Sequence, residues 1–120
     1  GKGVWTEGNI SSLIFSLNKK KQKDYKMMIN IDSIMTRNDQ KLNLKIKLND
    51  ILISSHSLSK EEIKKKSLLE IKINSNLLNY FEQKIDIIVK NPLSPLDIFE
   101  SPDSRSLGLL VSGFTISEID

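Results

Sequence analysis

The sequence predicts an all-β protein: a two-sheet antiparallel β-sandwich, jelly-roll-like, with about 7–8 strands and one or two short helical turns. Three observations carry that expectation. Apolar and polar residues alternate with period two over most of the chain, the mark of strands with one buried and one wet face. Polar turn clusters interrupt the alternation every ~8–15 residues, a spacing too tight for the crossover helices of a parallel sheet. The two helix-like stretches are each about one turn long.

Taken in chain order, Gly3-Val4-Trp5-Thr6-Glu7-Gly8 leads into a first strand at 11–17, with Leu13, Phe15 and Leu17 on one face. A polar, lysine-rich turn at 18–24 precedes a second strand at 26–35, where Ile29 and Ile31 oppose Asn30 and Asp32. The clearest strand is 41–48: Leu42, Leu44, Ile46 and Leu48 point one way, Asn43, Lys45 and Lys47 the other. Asn49-Asp50 then reads as a hairpin turn before Ile51-Leu52-Ile53, although Asn-Asp is a weaker turn pair than Asn-Gly. Ser59-Lys60-Glu61-Glu62 has the form of a helix start, a serine cap followed by acids that suit the dipole. Residues 67–73 alternate through Leu69, Ile71 and Ile73, residues 76–81 read as a second helical turn, and 84–90 alternate through Ile85, Ile87 and Val89. A loop rich in proline and short polar residues follows, from Asn91-Pro92-Leu93-Ser94-Pro95 to Ser101-Pro102-Asp103-Ser104-Arg105-Ser106-Leu107-Gly108. A final strand is expected at 109–116.

Composition narrows the function classes. The length of 120 residues suffices for one two-layer core, so residues 1–120 are expected to form a single sandwich domain, excised from a longer protein. Hydrophobic content of 38% is low, but its regular spacing argues against disorder despite 28% charge. Alanine is absent while Ile, Lys, Asn and Ser abound, the bias of an AT-rich genome, so lysine number carries little functional weight. The net charge of +3 permits weak attraction to anionic polymers, but acids are interspersed along the chain. Lys19-Lys20-Lys21 and Lys64-Lys65-Lys66 read as solvated turns, because no aromatic residues interleave with them to make a single-strand binding platform. There is no cysteine, hence no disulfide framework or thiolate chemistry. The longest apolar run is far short of the ~20 residues that span a membrane.

Few residues invite chemistry. His56 is the only histidine, which excludes a multi-histidine metal site, and its place among serines suggests an exposed strand end and argues against a catalytic or ligand role. Asp97, Glu100 and Asp103 lie close together, yet Ile98 and Phe99 separate them and Arg105 competes for them, a poor start for calcium. Asp103 and Arg105, two residues apart, are placed to form an Asx-type bond and a charge-assisted pair that shut the loop. The other use of Arg105 is to offer its fork of donors to a sugar hydroxyl or phosphate. Trp5, the only tryptophan, is either a buried plug at one end of the sandwich or an exposed stacking platform, and burial is the stronger expectation. Tyr25, Tyr80 and Phe81 flank strands and are expected to pack at the core or its edge.

Gly3-x-Trp5-Thr6-Glu7-Gly8, the Asn49-Asp50 turn, Asn91-Pro92-x-Ser94-Pro95 and Ser101-x-Asp103-x-Arg105-x-Leu107-Gly108 together carry a resemblance. The chain resembles a β-sandwich accessory domain of uncertain function found appended to bacterial glycosyltransferases and other surface-polysaccharide biosynthesis proteins. The resemblance implies a non-catalytic, carbohydrate-binding-like module that holds a bacterial surface glycan or lipid-linked acceptor near its parent's catalytic domain. Such a module acts by raising effective concentration. It offers Trp5, Glu7, Asp103 and Arg105 as candidate carbohydrate contacts, with no catalytic residue, no metal, no cofactor and no nucleic-acid partner. The implied location is bacterial, cytoplasmic or membrane-associated through the parent, with no span of its own. The competing expectation is a structural module that packs on the parent or self-associates, which a large apolar surface patch would favour.

Overall fold

The computed structural model describes residues 3–19, 23–99 and 101–119. Within them the chain forms β1 (Val4–Glu7), β2 (Ile10–Ser16), β3 (Asp24–Ile34), β4 (Leu42–Leu48), β5 (Ile51–Leu58), α1 (Lys60–Lys65), β6 (Leu68–Ile73), a 3-10 turn (Ser75–Leu77), β7 (Glu82–Val89), α2 (Pro95–Ile98) and β8 (Leu107–Ile119). Two four-stranded sheets result, in the orders β1-β8-β3-β6 and β2-β7-β4-β5, with every pairing antiparallel. The chain passes from one sheet to the other at all but one connection, a jelly-roll arrangement.

The period-two pattern explains the core. Met27, Ile29 and Ile31 of β3 face Leu42, Leu44, Ile46 and Leu48 of β4 across the sandwich, all of them buried. Each such side chain contributes about 1.5–3 kcal/mol by leaving water. Phe15 and Phe114 close the gap between β2 and β8 edge to face, with ring centroids 5.6 Å apart.

The turns follow their residues. Asn49 and Asp50 both adopt positive φ (50° and 69°), as a two-residue hairpin whose twist matches its strands requires. Ser59 caps α1 by accepting from the Glu62 amide, and Lys64 and Lys65 sit exposed in its last turn. Lys20 and Lys21 lie outside the described residues.

Behind the hairpin, Gln83 is fully buried yet fully satisfied. Its Oε1 accepts from Asn49 Nδ2 (2.8 Å) and the Asn79 amide (2.9 Å), while its Nε2 donates to the carbonyls of Leu17 (3.1 Å) and Asn79 (2.7 Å). One side chain thus joins β7 to three loops.

Four local expectations need correction. Gly3–Gly8 does more than lead into a strand: Val4–Glu7 is itself a strand, paired to β8. β5 continues through Ser54–Ser57, since pairing to β4 satisfies a backbone whose polar side chains read as loop. The proline loop holds a helix, α2, opened by a capping box between Ser94 and Asp97 with Pro95 in its first turn. Tyr25 is buried as expected, but Tyr80 and Phe81 are exposed.

Candidate functional site

The N- and C-terminal motifs, a hundred residues apart in sequence, meet at one end of the sandwich. Leu109 donates its amide to Thr6 Oγ1 (3.0 Å), and the Gly8 amide donates to the Ser106 carbonyl (2.8 Å). Gly108 packs so tightly here that a Cβ would sit 2.8 Å from both Thr6 Oγ1 and Val89 Cγ2. Arg105 grips Asp103 with two nitrogens, Nε at 3.0 Å from Oδ1 and Nη2 at 2.7 Å from Oδ2, and its amide also donates to Oδ1 (3.0 Å). Its Nη1 lies 3.8 Å from Glu7 Oε1. The Arg105 hydrogen bonds hold the Asp103 carboxyl down at about 2, below the usual 3.8.

This clasp pins the β1–β2 turn, and the turn borders a groove. Asn9, in that turn, exchanges hydrogen bonds with Val89: its carbonyl accepts from the Val89 amide (2.7 Å), and its Nδ2 donates to the Val89 carbonyl (3.1 Å). Beside it opens a groove of ≈ 810 Å³ on the outer face of the β2-β7-β4-β5 sheet. Register sets its lining: Asn43 lies opposite Ser57, and Lys45 lies between Ser55 and Ile88. Ser57 Oγ donates to Asn43 Oδ1 (2.8 Å), and Asn91 braces this end by accepting from the Asn43 amide and donating to the Lys41 carbonyl. Lys45 and Lys90 project from the lining, and no described carboxylate lies within ion-pair reach of either. Asp86, on the same face of β7, is engaged by Ser12 and by Lys84. Amide, hydroxyl and ammonium groups over an apolar patch at Ile88 can hydrogen-bond a polyhydroxylated ligand and pair with an anionic substituent.

Of the residues singled out from sequence, Glu7, Asp103 and Arg105 come together in the clasp. Trp5 does not join them. It stands half-buried on β1 opposite Leu110, beside a cleft of ≈ 450 Å³ between β1 and β2, so it is neither a buried plug nor an open platform. His56 is not at a strand end: it sits within β5, half-buried, with Nε2 3.0 Å from Ser54 Oγ, and burial lowers its pKa. Asp97 is spent capping α2 and Asp103 on Arg105, while Glu100 lies outside the described residues. The groove residues Asn9, Asn43, Lys45, Ser55, Ser57 and Lys90 were not candidates. Asn43 and Lys45 were legible as the wet face of the clearest strand, but nothing local distinguished that face from any other.

These features define a jelly-roll β-sandwich with a polar groove on the face of one sheet. Among solved structures the chain is similar to a family 35 carbohydrate-binding module from an environmental isolate, with a TM-score of 0.57 and 12% identity, over 92% of this chain and 68% of that one. The match shows a shared fold. It also aligns with dimeric latent PorU from Porphyromonas gingivalis, with a TM-score of 0.45 and 13% identity, over 98% of this chain and 10% of that one. No protein-family model and no curated protein matches the sequence. Among the described residues, no helix is long and apolar enough to cross a membrane.

Proposed function

We propose that this chain is a non-catalytic glycan-binding module whose site is the groove bordered by Asn9, Asn43, Lys45, Ser57 and Lys90. The observation that carries this reading is the donor set itself: Asn43 Nδ2, the Ser55 hydroxyl and two ammonium groups that no described carboxylate pairs with, on a fold shared with a carbohydrate-binding module. The lysines select for an acidic glycan, and Asn43, Ser55 and Ser57 meet its hydroxyls. Glu7, Asp103 and Arg105 serve the site from behind, holding the turn that carries Asn9. Trp5 supports the same turn through β1. The parent is a bacterial glycosyltransferase or other envelope-polysaccharide enzyme, an assignment supported by the motif resemblance alone.

Calorimetric titration tests the reading with polygalacturonate as the acidic probe and dextran as the neutral one. Polygalacturonate binds and dextran does not, and Lys45→Glu weakens binding about tenfold or more, the effect of replacing a charge-assisted hydrogen bond by repulsion. Equal binding of both polymers, or an unchanged affinity in Lys45→Glu, contradicts it.

A further inference from the structure

The four edge strands of the sandwich are not guarded alike. β1 is only four residues long, β6 carries the exposed charges Glu70 and Lys72, and β5 is broken in register between Ile46 and Lys47 of its partner. Short length, charge and bulges are the usual means by which a sheet edge is kept from pairing with another chain. β2 has none of them. Its seven residues, Ile-Ser-Ser-Leu-Ile-Phe-Ser, carry no charge, proline or glycine, and they hold unbroken register with β7 from Ile10–Ile88 to Ser16–Glu82. Ile10, Leu13 and Ile14 are 61%, 44% and 60% exposed.

The backbone is also turned the right way. The Asn9 carbonyl accepts from Val89 and the Leu17 amide donates to Phe81, so the odd-numbered residues of this segment bond to β7. In an antiparallel ladder the bonding direction alternates, which leaves the N–H and C=O groups of Ile10, Ser12, Ile14 and Ser16 directed away from the sheet.

We propose that β2 pairs antiparallel with β2 of a second copy, about a two-fold axis at Ser12, fusing the two β2-β7-β4-β5 sheets into one. The occupant is a second copy because the strand is complementary to itself. The axis sets Ile10 against Ile14 twice on the outer face and Ser12 against Ser12, and no charge meets a like charge or is left without a partner. Neutrality along the whole contact is what a two-fold pairing needs, since any charge on the axis would face its own image.

The test is sedimentation equilibrium across micromolar to millimolar protein, with two variants. The wild-type mass rises with concentration from that of one chain toward that of two. Ile14→Glu, whose cross-strand neighbour Lys84 accommodates the new acid within the chain, keeps the wild-type circular dichroism and stays monomeric. Ser12→Cys, the only thiol in a chain without cysteine, forms a disulfide-linked dimer under mild oxidation faster than Thr115→Cys on the outer face of the other sheet. A wild-type chain that remains monomeric at millimolar concentration overturns the proposal and leaves β2 to a foreign strand. Dimers that persist in Ile14→Glu, or equal cross-linking of the two cysteine variants, overturn it as well.

Discussion

The two ends of the β2-β7-β4-β5 sheet are built from the same residue types and put them to opposite uses. At the hairpin end, Asn49, Asn79 and Gln83 spend their amides on one another and on backbone, and Lys84 lies 3.0 Å from Asp50 and 3.6 Å from Asp86. At the groove end, Asn43 and Ser57 touch, but Lys45 and Lys90 face solvent with no described carboxylate in ion-pair reach. The first end is closed chemistry whose product is stability. The second is open, and its unspent donors are what a ligand can use. Residue type therefore does not mark a site here; the degree of satisfaction does.

The largest expected effect breaks the closed end. Gln83→Leu removes the partner of the Asn79 amide and of the Leu17 and Asn79 carbonyls, and leaves Asn49 Nδ2 with only the Leu77 carbonyl. It should cost about 3 kcal/mol or more, read from the urea midpoint, because each buried group left unpaired costs roughly 1–3 kcal/mol. Binding by the fraction that remains folded is unchanged. The converse sharpens the contrast: Lys45→Glu, which weakens glycan binding, leaves the unfolding free energy within about 0.5 kcal/mol of wild type.

The smallest effect belongs to the clasp, which is exposed to water and screened. Because Arg105 lowers the folded-state pKa of Asp103 to about 2 from 3.8, the pair's contribution is complete above the ordinary carboxylate range. It is lost as pH falls from about 4 toward 2. The amide shift of Gly8 should titrate in that window in the wild type and not in Arg105→Ala. Titration of Gly8 at the same pH in both proteins would show that the turn is held by something else.

Much of the fold was legible because it is local. Alternation through Leu42, Leu44, Ile46 and Leu48 marks a half-buried strand wherever that strand lies, and Ser59 with Glu62 marks a helix start by spacing alone. The Asp103–Arg105 bond, two residues long, was legible for the same reason. α2 carries a signal in Ser94-Pro95-x-Asp97, but the prolines and short polar residues around it have the composition of a loop. β1 escaped because four residues are too few to show a period, and Ser54–Ser57 because strand pairing overrides propensity. The groove was not legible at all. Asn9, Asn43, Ser57 and Lys90 share no spacing, and only the jelly-roll order brings β4 between β5 and β7 and sets Asn9 against Val89.

The central claim is that the open end binds and the closed end does not. A ¹⁵N–¹H chemical-shift titration with polygalacturonate tests it most directly, since it reads both ends in one experiment. The account predicts progressive shifts at Asn9, Asn43, Ser55, Ser57 and Lys90, with Asn49, Asn79 and Gln83 unmoved. Shifts centred on Trp5 and the Asp103–Arg105 loop without the groove, or none at millimolar sugar, would contradict it.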